Sequence, residues 1–384
     1  MSAYIRDAVR SPRGKARPDG GLASLKPHEL VTGLIDALDA RTDGAARRAD
    51  ALILGAVGQV GAQGANVALV SKLHAGLADE AFAYSLNNFC ASGLTAIGQA
   101  ANLVETGGAT TVLAGGVEMM SRVPFMADNA DYYTDATFPP RTRYLPVALA
   151  ADRLAEDIGV TRAEMDAVAL ISQQRTAAAE GTPLTASRIP LNGLATEENA
   201  RASMTAERLA ALPPAFAQMT KDYTDALDSR TIDHRHTLSH TPPMADGVGL
   251  ALISRDPLGA RARIVAHAEA GGDPAASLTA GFTALDKVLA KAGLTLADMD
   301  RVEFMEAFAV TLVKLLRDHG VDPARVNVGG GHLAKGHPMG ATGAILLSAL
   351  LDALDACDGR YGVVVVAGAQ GIGAAMVVER LAPI

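Results

Sequence analysis

The feature that most constrains the fold of this chain is an internal echo. Cys90-Ala91-Ser92-Gly93 opens an apolar run at helical spacing, and the strand-like Val112-Leu113-Ala114-Gly115-Gly116 follows it. Far downstream, Gly340-Ala341-Thr342-Gly343 opens a second such run, followed by Val365-Val366-Ala367-Gly368-Ala369. Two similar α/β halves flanking an irregular middle are the simplest account, as in a duplicated fold. A duplication of this kind brings equivalent helix starts together near a pseudo-two-fold axis. Cys90 and the loop carrying His337 can then face each other although they are distant in sequence.

The rest of the chain fits two or three domains, since 384 residues exceed one ordinary core. Hydrophobic patterning predicts strands over 3–10, 51–57 and 110–116, the last ending in a glycine turn at Gly115-Gly116, with helices over 27–38 and 66–75 between them. Residues 128–144 are rich in Pro, Asp, Thr and Tyr without periodicity and read as a loop region, followed by helices over 149–155 and 162–180. Between 181 and 241 only 205–212 reads as a helix. The stretch 222–240, with His234, His236 and His240, reads as a solvated loop, because no acidic or cysteine partner lies at ligand-like spacing. Alternation resumes with strands at 249–254, 262–269, 301–304, 326–328, 362–366 and 374–380, and helices over 278–292, 305–318 and 341–355. Strands alternating with helices imply a largely parallel sheet covered on both faces.

Composition removes several functional classes. A net charge of −8 argues against a nucleic-acid surface. No run approaches about 18 uninterrupted apolar residues, so no membrane span is expected, and the charged residues of 1–15 do not resemble a secretory leader. A cytoplasmic protein is the expectation. Two cysteines, Cys90 and Cys357, without a Cys/His cluster, give neither a disulfide framework nor a metal site. The location of Cys90 at a helix start has chemical meaning: unpaired N–H groups and the positive end of the helix dipole favour the thiolate, the form that attacks a carbonyl. On that ground Cys90 is expected to react with iodoacetamide before Cys357.

The motifs then resemble a known family, the thiolases (acetyl-CoA acetyltransferases and 3-ketoacyl-CoA thiolases). The resemblance covers nearly the whole chain and rests on Asp7-Ala8-Val9-Arg10-Ser11-Pro12, Asn88-Phe89-Cys90-Ala91-Ser92-Gly93-Leu94, Gly115-Gly116-Val117-Glu118-Met119-Met120-Ser121, Ser172-Gln173-Gln174-Arg175, Asp246-Gly247, Glu306-Ala307-Phe308-Ala309 and Gly336-His337-Pro338-Met339-Gly340-Ala341-Thr342-Gly343. It implies a five-layer αβαβα fold with two mixed sheets. The N-terminal half would span 1–117 plus 241–261, an inserted loop domain 118–240, and the C-terminal half 262–384. It also implies a homodimer or homotetramer, with 110–114 as the contact strand.

The resemblance assigns roles as well. The cysteine matching Cys90 takes an acyl group from a coenzyme A thioester, and the histidine matching His337 accepts the thiol proton and later contributes to an oxyanion hole. The backbone N–H groups of Cys90 and Ala369 would form a second oxyanion hole. No permanently bound cofactor is implied; the coenzyme A thioester is substrate. Coenzyme A contacts would fall on Val147, Ala148, Pro242 and Phe308, with Arg201 toward the nucleotide phosphates. Two positions depart from the pattern. Ala367 stands where thiolases carry a second catalytic cysteine, the acid/base of carbon–carbon bond chemistry, and Met305 stands where an Asn or His orders an oxyanion-hole water. Neither side chain can do that work. The resemblance therefore implies a thiolase-type acyltransferase of uncertain Claisen competence, with a catalytically weakened binding or scaffolding subunit as the alternative.

Overall fold

The computed structural model describes residues 2–382. Its strands are β1 (Tyr4–Arg10), β2 (Gly14–Lys15), β3 (Ala51–Gly55), β4 (Phe82–Leu86), β5 (Thr111–Met119), β6 (Ala245–Ser254), β7 (Ala262–Gly271), β8 (Arg301–Phe304), β9 (Tyr361–Gly368) and β10 (Ile372–Arg380). Its helices are α1 (Pro27–Arg41), α2 (Val67–Ala75), α3 (Ser92–Thr106), α4 (Val147–Asp157), α5 (Arg162–Ala179), α6 (Ala206–Ala210), α7 (Ala280–Ala292), α8 (Ala309–Asp318), α9 (His332–Lys335) and α10 (Thr342–Asp355).

The strands run in the order β4-β3-β5-β6-β1-β7-β10-β9-β8, with β2 against β6. The two expected sheets are thus hydrogen-bonded into one, and it is not the largely parallel sheet implied by the alternation: among the described strands β3 runs parallel to β4 and β5, and β8 to β9, while the other pairings are antiparallel. The seam is narrow: β1 meets β7 only through Tyr4 with Arg263 and Ile5 with Ala262. Both central helices touch strands on either side of that seam, α3 against β3, β5, β7 and β10, and α10 against β1, β6, β8 and β9. The ribbon therefore wraps around the α3–α10 pair. α1 packs on β6 and α2 on β3 and β4, while α7 packs on β7, β9 and β10. The layering is mixed α/β with helices outside and between the strands.

Small residues allow the central helices to meet. A Cβ on Gly93 would lie 2.7 Å from the Gly340 carbonyl, and one on Gly343 would lie 2.5 Å from the Leu94 nitrogen. Distances that short exclude a side chain, so the repeated glycines of the sequence echo mark where the two helix starts touch. Gly115 and Gly116 have a similar reason and not the expected one. They lie inside β5, paired with Leu250 and Gly249, because a Cβ on Gly116 would fall 2.2 Å from the Gly340 carbonyl.

Other expectations change. The segment 326–328 forms a single bridge, Val302 to Val326, and no strand. Helix α8 starts at Ala309, since Phe308 is extended at φ −150° and leaves Met305–Phe308 as a turn. The segment 222–240 is not simply solvated: His236 and His240 are fully buried. Their acidic partners arrive from distant helices, Asp152 accepting from His234 Nδ1 at 2.8 Å and pairing with His236 Nδ1 at 2.7 Å, and Asp166 pairing with His240 Nε2 at 2.7 Å. Finally, 110–114 cannot be an edge, because β5 is paired on both sides by β3 and β6. The open edge of that half is β4, where Phe82 is exposed.

Candidate active site

Cys90 follows an unusual turn. Phe89 has φ +46°, a left-handed conformation that a bulky side chain avoids and that costs on the order of 1–3 kcal/mol. Local hydrogen bonds hold it there: Phe89 N–H donates to Asn87 Oδ1 at 2.9 Å, Ser92 Oγ donates to the Phe89 carbonyl at 2.5 Å, and Asn88 N–H donates to Ser92 Oγ at 2.8 Å. The turn delivers Cys90 just ahead of α3. From the other half, the loop between α9 and α10 delivers His337, whose Nε2 lies 3.2 Å from Cys90 Sγ. Its Nδ1 pairs with Thr342 Oγ1 at 2.7 Å, which fixes the ring.

The backbone N–H groups of Cys90 and Ala369 both point at the Cys90 sulfur and lower its pKa, but burial, with the nearby Glu118 carboxylate, outweighs them and pushes the thiol up to about 12. This corrects the expectation of a helix-stabilised thiolate: in the free site desolvation wins over the helix terminus. His337 is pushed down to about 3, first by burial and then by the Arg13 guanidinium. The resting pair is a neutral thiol beside a neutral imidazole.

Glu118 stands in one of the family motifs, yet the sequence assigned it no role. Its carboxylate is buried and accepts from Val57 N–H at 2.8 Å, Gly58 N–H at 3.1 Å, Gln63 Nε2 at 2.6 Å and Gly340 N–H at 2.9 Å. It ties the turn after β3 to the loop that carries His337. Gln370 is a second such residue: its amide donates to the Leu145 carbonyl at 3.1 Å and its oxygen accepts from Tyr132 at 3.2 Å, so it fastens the 132–145 loop beside Ala369. Neither has a signal in spacing or composition, because each acts by meeting groups from remote segments.

Cys90 and His337 open into a pocket of about 140 Å³. Met305, Ala367, Ala369, Val147, Pro242 and Phe308 also line it. Ala148 does not; it is buried on α4 beside Val147. Arg201 lies apart, in a neighbouring polar hollow with Lys15, Arg17 and Glu198 that shares only Met244 with the pocket. Among the described residues no cluster of His, Cys, Asp and Glu is arranged to hold a metal, and no helix is long and apolar enough to cross a membrane.

Residues 3–226 match the model of the thiolase N-terminal domain and residues 258–380 that of the thiolase C-terminal domain. The chain belongs to the thiolase family. Among curated thiolase relatives, it is 34% identical to a beta-ketoadipyl-CoA thiolase of Acinetobacter baylyi and 33% identical to an acetyl-CoA acetyltransferase of Escherichia coli, in each case over 99% of both chains. The solved human mitochondrial 3-ketoacyl-CoA thiolase in complex with CoA superposes with a TM-score of 0.87 at 28% identity, covering 99% of this chain and 98% of that one. The acetyl-CoA acetyltransferase of Bacillus anthracis gives 0.85 at 29% identity over 99% of both. These likenesses establish the thiolase fold and a thiolase-type acyltransferase.

Proposed function

We propose that Cys90 forms an acyl-enzyme from a coenzyme A thioester, with His337 as its proton acceptor. The observation that carries this reading is the 3.2 Å contact between His337 Nε2 and Cys90 Sγ at the head of an apolar pocket. In the tautomer where Nδ1–H donates to Thr342, Nε2 is free to accept. The sulfur attacks the thioester carbonyl while its proton passes to Nε2. The tetrahedral intermediate collapses by breaking the carbon–sulfur bond to coenzyme A, and the departing sulfur takes the proton back from His337. Because the free thiol sits near 12 and the imidazole near 3, proton transfer has to accompany carbon–sulfur bond formation and not precede it. A thiol suits the exchange, since the acyl group moves between two sulfurs of similar leaving ability. The amides of Cys90 and Ala369 are suited to the intermediate's oxygen.

Carbon–carbon bond formation or cleavage needs a second acid/base. At Ala367 and Met305 the pocket carries none, which favours transfer between thiols or to another acceptor and gives weight to a weakened, binding role as the second reading. We further assign coenzyme A as exchanging substrate and not as a resident cofactor, a division into two halves with an inserted loop domain, a homo-oligomer paired through β4, and a cytoplasmic site of action. The test of the central step is intact-protein mass spectrometry after incubation with acyl-CoAs. The expected result is one acyl mass on the wild type and none on Cys90→Ser; no adduct with any acyl-CoA overturns the acyl-enzyme and leaves the binding role.

A further inference from the structure

The lining of the pocket says which acyl group it suits. The chain has no tryptophan, eight phenylalanines and seven tyrosines, and aromatics are only 4% of it. Yet Phe89, Phe125, Phe308, Tyr133 and Tyr144 all line this one pocket. Tyr132 and Tyr223, outside the lining, extend this array around Tyr144. Tyr132 and Tyr133 lie edge-on to Tyr144 with centroids 6.0 and 4.9 Å away, and Tyr223 is 6.2 Å from the same ring. Edge-to-face aromatic arrays of this spacing accept a further ring readily. Met120, Met126, Met244, Met305 and Met339 supply much of the remaining wall, and thioethers adapt to a flat ring and contact its edge favourably.

Charge points the same way. Among the described residues no lysine or arginine lines the pocket, and the one acidic residue that does, Asp128, accepts a hydrogen bond from Tyr133 at 3.0 Å. The cations of the adjoining loop are engaged elsewhere, Arg143 with Asp225 at 2.7 Å and Arg141 with Asp273 at 3.3 Å. An acyl chain ending in a carboxylate would find no cation in this lining and would meet a like charge at its exposed side, where Asp128 stands. An acetyl group would leave most of the apolar wall unfilled.

We propose that this site takes an uncharged, ring-bearing acyl group, of the aryl or arylacetyl class, in preference to acetyl or to an acyl chain with a terminal carboxylate. The inference rests on the assignment of this pocket to acyl-CoA, and it sets the chain apart from the ketoadipyl relatives, whose named substrate carries a terminal carboxylate.

The test measures binding without bond making. Calorimetry of full-length Cys90→Ala compares phenylacetyl-CoA, acetyl-CoA and succinyl-CoA, which share every charge of the nucleotide. Phenylacetyl-CoA is expected to bind at least about tenfold tighter than acetyl-CoA, with succinyl-CoA the weakest. Adding Asp128→Asn should narrow the gap to succinyl-CoA at least about threefold, and adding Phe125→Arg, at a partly exposed position, should tighten succinyl-CoA while weakening phenylacetyl-CoA. Equal or tighter binding of acetyl-CoA or succinyl-CoA overturns the proposal, as does an order that neither substitution moves. The acyl-enzyme fails separately, by absence of a Cys90 adduct in the wild type while the binding order persists. Binding of none of the three overturns the pocket assignment and this inference together.

Discussion

The two halves of the molecule contribute unequally to one pocket. The N-terminal half brings Cys90 on a strained turn whose nearby polar groups are tied down, from Asn87 and Ser92 to the Glu118 carboxylate with its four donors. The C-terminal half brings His337, and beyond it apolar side chains: Met305 at the end of β8 and Ala367 in β9. A duplicated fold places equivalent backbone at the site twice, but it does not oblige both copies to carry chemistry. In the acylation proposed above, proton handling therefore rests on the one contact between Cys90 and His337.

The strongest way to break this comparison is to remove the one acid/base that the C-terminal half supplies. His337→Ala should slow acylation of Cys90 by about 10²–10⁴-fold, measured by quenched-flow mass spectrometry. A loss below tenfold would show that the pair is not the proton path. The same assay has a pH signature. With His337 held near 3, its base form persists at every working pH, so the rate should show no step near the ordinary imidazole value of about 6.5. Arg13 is one cause of that depression, so Arg13→Leu should raise the His337 pKa and move the acid limb of the profile to higher pH. An unmoved limb would remove Arg13 from the account.

A smaller effect is expected from filling the apolar side. Ala367→Cys with Met305→Asn should raise thiolysis of acetoacetyl-CoA by at least about tenfold, a modest share of what a positioned acid/base contributes. The readout is loss of the magnesium enolate absorbance, and robust thiolysis already in the wild type would mean that another residue supplies the proton.

The smallest effect concerns the two thiols. Without substrate, Cys357 is exposed while Cys90 is half-buried with its thiol pushed up to about 12, so iodoacetamide should label Cys357 several-fold faster at pH 8. This reverses the expectation from the helix start alone. Faster labelling of Cys90 would show that it holds a thiolate after all. At the outer rim, Phe82→Lys on β4 should shift light scattering toward the 39.5 kDa monomer if that edge pairs two copies, because an added charge opposes strand pairing. Persistence of a larger species would place the contact elsewhere.

Much of this protein is decided locally and could be seen in the chain. The alternation of buried strands and helices, the glycine echo and the motif around Cys90 are short-range patterns, and each reappears as an element or as a contact between the α3 and α10 starts. The approach of His337 to Cys90 was legible too, but only through the duplication, since nothing local connects them. Tertiary structure alone decided the rest. Whether Gly115 and Gly116 turn or stay extended depends on what packs against them, the Gly249 carbonyl on Gly115 and the Gly340 carbonyl on Gly116. Whether the histidines of 234–240 face water depends on Asp152 and Asp166 arriving from α4 and α5. The sign of the Cys90 shift depends on burial and on Glu118, which outweigh a helix terminus visible in the sequence. Spacing along a chain reports on neighbours within a turn or two; desolvation and close backbone approach are set by whatever the rest of the fold brings alongside.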